Sequence, residues 1–292
     1  MESVAALKWG VERRLEFIEF RLFWEGGINR ADLIDFFGVS TPQASKDLSQ
    51  YQALAPGNME YDKSEKRYFA SENFEPRFIA PNSDQYLSQL RLTTDDMSTT
   101  QDSWLGSPPE IAWMPIPYRR VDPDVLRCLV SAIRQEKSVE ILYQSMNPDR
   151  PDPIWRGISP HAFGSDGLRW HVRAYCDMSR TFKDFLLSRC LGCRDIGTTK
   201  VKAEDDWQWQ EVVEVNLIPN PRLSEAQQKT IAWDYDMRDN KLSLTLRKAL
   251  LFYFNKRLRL DVADSLDDPR EVPVVLADRE SFDRVLAEVS AK

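Results

Sequence analysis

The sequence predicts an α+β chain of several domains: a helical module closed by a β-hairpin, then a small β-barrel, then a small α+β domain. Three observations carry this. Apolar residues recur at helical spacing as far as about residue 54, where a strand–turn–strand pattern takes over. Short alternating segments bounded by turn residues crowd the stretch from Val139 to Arg194. From about Lys200 strand-like and helix-like segments alternate to the end. At 292 residues the chain is too long for one ordinary domain. The boundaries read as 1–75, 76–120 (a helical, Pro-rich linker), 121–200 and 201–292.

The first helix is expected over Lys8 to Trp24. Leu7, Val11, Leu15, Ile18 and Leu22 form one stripe, and Phe17, Phe20 and Trp24 form a second. Two stripes call for two partners: the domain's own core, and a second subunit. Gly26-Gly27 stops the helix. Asn29, with Asp32 three residues on, caps a short helix with Leu33, Ile34, Phe36 and Phe37 on its apolar face and Gly38 as its stop. Thr41 then reads as an N-cap with Pro42 at the first helical position. The helix to Leu54 buries Ala44, Leu48 and Tyr51.

Thr41, Gln43, Ser45, Lys46, Ser49 and Gln50 remain to face outward. Helix, Gly-containing turn and helix, with small, amide and cationic side chains on the exposed face of the second, is the helix-turn-helix pattern. Such side chains reach base edges and phosphates. Asn58 to Ala70 follows as a hairpin wing, with Lys63, Lys66 and Arg67 at its tip. These nine residues are the expected contacts to double-stranded operator DNA. Against this, residues 1–75 carry nine Lys/Arg and thirteen Asp/Glu, so any DNA contact must be local; a wing that docks protein is the other reading.

The linker holds a helix around Ser83 to Leu92, a polar run Thr93 to Ser103, and Pro108, Pro109, Pro115 and Pro117. Trp104 and Trp113 are expected to pin it to a neighbouring domain. Asp122-Pro123 opens a helix to about Lys137 that buries Leu126, Leu129, Val130 and Ile133. A strand from Val139 to Gln144 carries Tyr143.

The barrel stretch is locally cationic in an acidic chain. Trp155 to Arg194 holds seven Lys/Arg against three Asp, while the whole chain has a net charge of −7. Alternation sends Trp170, Val172 and Ala174 to one face and Arg169, His171, Arg173 and Tyr175 to the other. The second face suits an anion, since guanidinium pairs bidentately with phosphate or carboxylate; a solvated polar face is the plainer explanation. Beyond Lys200 the expected elements are a strand Gln210–Ile218, a helix Leu223–Trp233, a strand Lys241–Leu246, a helix Arg247–Lys256, a strand Val274–Leu276 and a helix Arg279–Val289.

Cys128, Cys176, Cys190 and Cys193 are expected to be reduced, and Cys190-x-x-Cys193 lacks the second ligand pair that a zinc site needs. No apolar run approaches a membrane span and no leader is visible, so a cytoplasmic protein without membrane contact is expected. There is no phosphate-binding Gly loop, no His-Glu-x-x-His and no Gly-x-Ser-x-Gly. Neither cofactor, metal nor catalytic activity is expected.

The run Ser159-Pro160-His161, the turn Ser165-Asp166-Gly167, Trp170-His171-Val172, Tyr143 on a preceding strand and Arg189 after Phe185 resemble the WYL domain, an Sm/SH3-like small β-barrel of bacterial transcriptional regulators. The order of domains resembles the winged-helix WYL regulators of phage-defence operons, of the BrxR/CapW kind. That resemblance implies a homodimeric repressor whose C-terminal extension contributes dimer contacts. It also implies a nucleotide or nucleic-acid-derived ligand at Tyr143, Ser159, His161, His171, Arg173 and Arg189; Arg169 and Trp170 flank these positions. The alternative is a nucleotide- or nucleic-acid-processing enzyme built on the same Arg/His face, with His161 or His171 working beside Asp166 or Asp177.

Overall fold

The computed structural model describes residues 9–94, 103–112, 114–199 and 201–290. Leu7, Lys8, Trp113, Lys200 and most of the polar run after Thr93 lie outside them. The chain forms two compact units, residues 1–115 and 116–292.

In the first unit, α1 (Trp9–Glu25) is followed by β1 (Gly27–Ile28), α2 (Arg30–Phe37), α3 (Thr41–Leu54), β2 (Met59–Asp62), β3 (Arg67–Ala70) and α4 (Ser83–Thr94). The three strands form an antiparallel sheet in the order β1-β3-β2. Local chemistry sets the boundaries. Asn29 and Asp32 form a reciprocal capping box at α2, and Gly38 ends it at φ 63°, a left-handed conformation that glycine adopts without steric cost. Ser40, not Thr41, is the N-cap of α3; its hydroxyl accepts from Gln43 N–H, so Thr41 opens the helix. The core is Leu15, Ile18, Leu22, Leu33, Ala44, Leu48 and Tyr51, as the stripes predict.

The second stripe of α1 finds its partner inside the unit. Phe17 and Phe20 meet Trp104 edge-on at 5.8 and 5.4 Å, and Trp24 stacks on Tyr86 of α4 at 4.5 Å. The linker Trp104 thus pins the strap to α1, and the stripe does not need a second subunit. A carboxylate completes the same arrangement. Glu19 is fully buried and accepts from the backbone N–H groups of Arg77, Phe78 and Ile79 and from the Tyr51 hydroxyl. Four donors satisfy a charge that would otherwise be costly to bury.

In the second unit, α5 (Pro123–Arg134) packs over a five-stranded antiparallel sheet of β4 (Lys137–Tyr143), β5 (Ile154–Ser165), β6 (Trp170–Cys176), β7 (Thr181–Leu186) and β8 (Cys190–Thr198). The order is β7-β6-β5-β4-β8, and β7 and β8 are its two edges. The sheet is therefore not closed, which corrects the barrel. The buried face of α5 is Val125, Leu129 and Ala132, with Ile133 packed against the same core; Leu129 and Ile133 fall inward as predicted, while Leu126 is 37% exposed and Val125 takes its place.

Cys128 of α5 and Cys193 of β8 form a disulfide, which overturns the expectation of four reduced cysteines. Cys176 and Cys190 are free and buried, and burial pushes the Cys190 thiol up to about 12.

The remainder comprises α6 (Trp207–Gln210), β9 (Val212–Pro219), α7 (Glu225–Asp234), β10 (Leu242–Arg247), α8 (Leu251–Arg257), β11 (Val274–Leu276) and α9 (Arg279–Ser290). Its sheet is antiparallel in the order β10-β9-β11 over a core of Val215, Leu217, Leu251, Leu260, Val274 and Phe282. Val212, not Gln210, begins the first strand, because Asp206 caps a short helix over Trp207–Gln210. No helix among the described residues is long and apolar enough to cross a membrane.

Candidate nucleic-acid interface and ligand site

On α3, Thr41, Lys46 and Ser49 are exposed and lie on one side of the helix; Gln43, Ser45 and Gln50 are half-buried. Gln43 has a structural partner: its amide donates to Asp47 Oδ1 at 2.8 Å. Asp47 is fully buried and takes Arg14 Nε from α1 at 2.6 Å. Gln43 thus belongs to the clamp that fastens α3 to α1. The Ser45 hydroxyl accepts from Arg30 Nη1 at 3.4 Å. Arg30 is exposed at the first position of α2, beside the outward face of α3, and the sequence reading missed it. The signal was available in a cation directly after the Asn29 cap, at the end of a helix that in this motif crosses the DNA backbone.

On the wing, Lys63 and Lys66 are exposed, and Lys66 adopts a left-handed φ of 52° that fixes the turn. Arg67 is instead half-buried and donates to Gly27 O at 2.7 Å, tying β3 to β1. Asp62 organises the turn by accepting from Ser64 and from Glu65 N–H. The Ser64 hydroxyl first, and those backbone donors after it, hold its carboxyl below the usual range.

The expected anion residues divide. Arg173 and His161 are engaged by the chain itself. Arg173 Nε and Nη2 meet Asp206 Oδ2 and Oδ1 at 2.7 and 3.0 Å; Nη2 also donates to Gln208 Oε1 at 2.7 Å. Its Nη1 lies 3.4 Å from Asp184. His161 Nε2 lies 2.9 Å from Asp206 Oδ2. Burial on its own would raise the Asp206 pKa, but the bonds from His161 and Arg173 outweigh it and hold the carboxyl low.

His171 is buried with its ring 4.8 Å from Tyr253, and burial lowers its pKa against the opposing pull of Asp184 and Asp166. The polar face of β6 is therefore covered by the segment 203–210 and by α8, and is not open as alternation alone suggested. Val172 and Ala174 are buried, but Trp170, assigned by alternation to the same face, is 59% exposed. Arg169 is occupied by Asp166 in its own turn at 2.7 Å.

Ser159 bonds Ser138 through their hydroxyls at 3.0 Å. With His161 it lines a cleft of about 570 Å³ whose other walls include Glu136, Thr198, Lys202 and Glu204. Tyr143 and Arg189 lie away from that cleft. The Tyr143 hydroxyl accepts from Leu186 N–H at 3.3 Å, and Arg189, which closes the turn after β7, is half-buried.

One more cation belongs at this end. Arg156 is 8% exposed, its guanidinium lies 5.4 Å from the Tyr143 ring centroid, and its Nε and Nη2 are buried without a hydrogen-bond partner among the described residues. Buried donors left unpaired are uncommon. The signal was an arginine in phase with Ile154 and Ile158, on the inward side of β5. Among the described residues no group of three or more His, Cys, Asp or Glu could hold a metal ion.

A three-stranded wing behind two crossing helices, followed by a five-stranded sheet capped by one helix, defines a winged-helix regulator carrying a WYL domain. Residues 10–92 match the BrxR transcriptional regulator winged helix-turn-helix domain, 124–194 the WYL domain, and 212–282 the BrxR transcriptional regulator C-terminal dimerization domain. A protein of Pseudomonas aeruginosa named "DNA-binding transcriptional repressor CapW" is 38% identical over 94% of this chain and 91% of its own. One of the same name from Stenotrophomonas maltophilia is 37% identical over 99% and 97%. The chain belongs to the BrxR/CapW family of winged-helix WYL transcriptional regulators. Among solved structures, proteasome accessory factor B/C of Arthrobacter aurescens covers 97% of this chain and 48% of its own, at 16% identity and a TM-score of 0.24.

Proposed function

We propose that this protein is a homodimeric DNA-binding transcriptional repressor. The exposed face of α3 with Thr41, Lys46 and Ser49 reads the major groove of an operator, and Arg30, Lys63 and Lys66 hold its phosphates. The observation that carries this is the helix-turn-helix geometry of α2 and α3, with its outward face free of the chain's own core. The relatives' name agrees with it. With a net charge of −7 on the chain, affinity rests on these few cations and falls steeply with salt.

A mobility shift with the DNA upstream of the gene tests the reading. Retention at low salt that weakens as salt rises supports it; no retention of that DNA at moderate salt overturns it.

The finer part of the proposal is that the WYL domain senses a nucleotide or a nucleic-acid fragment and that the operator controls a phage-defence operon. The donors of Arg156 beside Tyr143 that have no partner among the described residues, and the polar cleft lined by Ser159 and His161, support an anionic ligand at this sheet. A ligand there shifts DNA affinity only by binding the DNA-competent and DNA-free shapes unequally. Release of the bound operator on adding 5′-phosphorylated oligonucleotides, but not unphosphorylated ones of the same sequence, is the expected result. The enzymatic alternative would use His161, whose Nε2 is held by Asp206, or His171, which is packed against Tyr253 in the interior.

A further inference from the structure

Helix α7 carries an exposed face that the fold does not use. Ala226, Thr230 and Trp233 are all exposed, at spacings of four and three that place them on one side of the helix. Trp233 is 83% exposed. The opposite side is anchored by buried Ala232 and by Ile231, which packs on the core of the C-terminal domain. Beside the exposed face runs a groove of about 350 Å³, walled by Leu223, Ala226, Thr230, Ile231 and Pro273. A lone exposed tryptophan needs no explanation. A tryptophan one turn along from an apolar groove on the same helix is different, because knob and hole on one surface are what an isologous contact requires.

We propose that this face is the two-fold contact between copies of the chain, with α7 packed antiparallel against α7 and the dyad passing through Thr230. That register sets Trp233 of each copy over the turn at Ala226 and Gln227 of the other, where the groove opens. Ala226 and Thr230 are small enough to let the helices approach to the roughly 8–10 Å of ordinary helix packing. Each tryptophan then buries on the order of 150–250 Å² of surface, twice per interface. The face lies within residues 212–282, the segment that matches a dimerization domain, and the inference rests on the homodimer reading above.

The test uses the full chain and sedimentation equilibrium. The unaltered protein is expected to be a dimer. Trp233→Glu should weaken dimerisation by about a hundredfold or more, as expected when a central aromatic anchor is lost; Trp233→Phe should keep it dimeric. Because Trp233 is exposed, neither change should move the melting temperature of the isolated protomer. Thr230→Cys should cross-link to its own copy under mild oxidation, since only a residue on the dyad faces itself. An equally tight Trp233→Glu dimer with no Thr230→Cys cross-link overturns the face and leaves the homodimer reading standing. A monomer of unaltered protein at all concentrations overturns both.

Discussion

Arg173 closes bidentately on Asp206, with Nε–Oδ2 and Nη2–Oδ1 distances of 2.7 and 3.0 Å. The pair joins β6 of the WYL sheet to the N-cap of α6. Both side chains are almost fully buried. Around them His161 shares Asp206, Gln208 ties Arg173 to the carbonyl of Val289, and Tyr253 donates to Asp184. One guanidinium therefore couples β6 with α6, α8 and α9.

Breaking that pair should be costly and pH-dependent in a defined sense. Asp206→Ala leaves a buried arginine short of its counter-charge, an expected loss of about 3–5 kcal/mol, read as a lower denaturant midpoint for the second unit. Because the folded-state pKa of Asp206 is held below the ordinary carboxylate value, the pair contributes fully above the unfolded value, near pH 4. The contribution is lost as pH falls through the lower folded value. The gap between unaltered protein and Asp206→Asn should therefore be constant from pH 5 to 7 and shrink below about pH 4. A gap that widens on acidification would contradict the assignment.

Lys46 and Gln43 occupy the same helix and should behave differently. Lys46 is exposed, so Lys46→Ala should reduce operator affinity, flatten its salt dependence by about one charge, and leave the melting temperature within about one degree. Gln43 supports the buried Asp47. Gln43→Ala should lower stability by about 1 kcal/mol, the usual worth of one such bond, and weaken DNA binding only through α3. Titrations at two salt concentrations alongside thermal melts separate the two outcomes.

The contrast shows what was legible in the chain. Caps, glycine stops and the buried stripe of α3 are local and were readable from spacing, to within the one residue that exchanged Ser40 for Thr41. The alternation of β6 correctly gave it two faces. It did not say what would cover the polar one, because Asp206 and Tyr253 lie 33 and 80 residues further along and answer to the packing of a separate domain. Nor could spacing pair Cys128 with Cys193, which meet only once α5 lies across β8.

That disulfide closes a span of 65 residues, and on chain entropy alone such a link limits the unfolded state by about 4 kcal/mol. Reductant should lower the melting temperature of the unaltered second unit. Cys128→Ala should show the lower value from the start and no further response. Equal melting with and without reductant, after thiol counting has confirmed the bond, would deny it a stabilising role. Cys190, buried and with its thiol pushed up, should remain unmodified by alkylating agents in either state.

Arg156 and Arg189 carry the last prediction. Arg156 sits inward on β5 over the Tyr143 ring with two donors unpaired. Arg189 closes the turn after β7, where its carbonyl accepts from Gln144 N–H, and that backbone bond survives truncation of the side chain. If these guanidinium groups receive the regulatory anion, Arg189→Ala should bind the operator with unchanged affinity and fail to release it when 5′-phosphorylated oligonucleotide is added. Arg156→Met keeps an unbranched apolar stem in place of the guanidinium and removes Nε and Nη2, which have no partner among the described residues. It should therefore leave stability unchanged or raise it, since unpaired buried charge is costly, and abolish the response. Loss of stability in Arg156→Met would show that the group has a partner within the fold. Normal release by both variants would place the sensor elsewhere, with the Ser159–His161 cleft next in line.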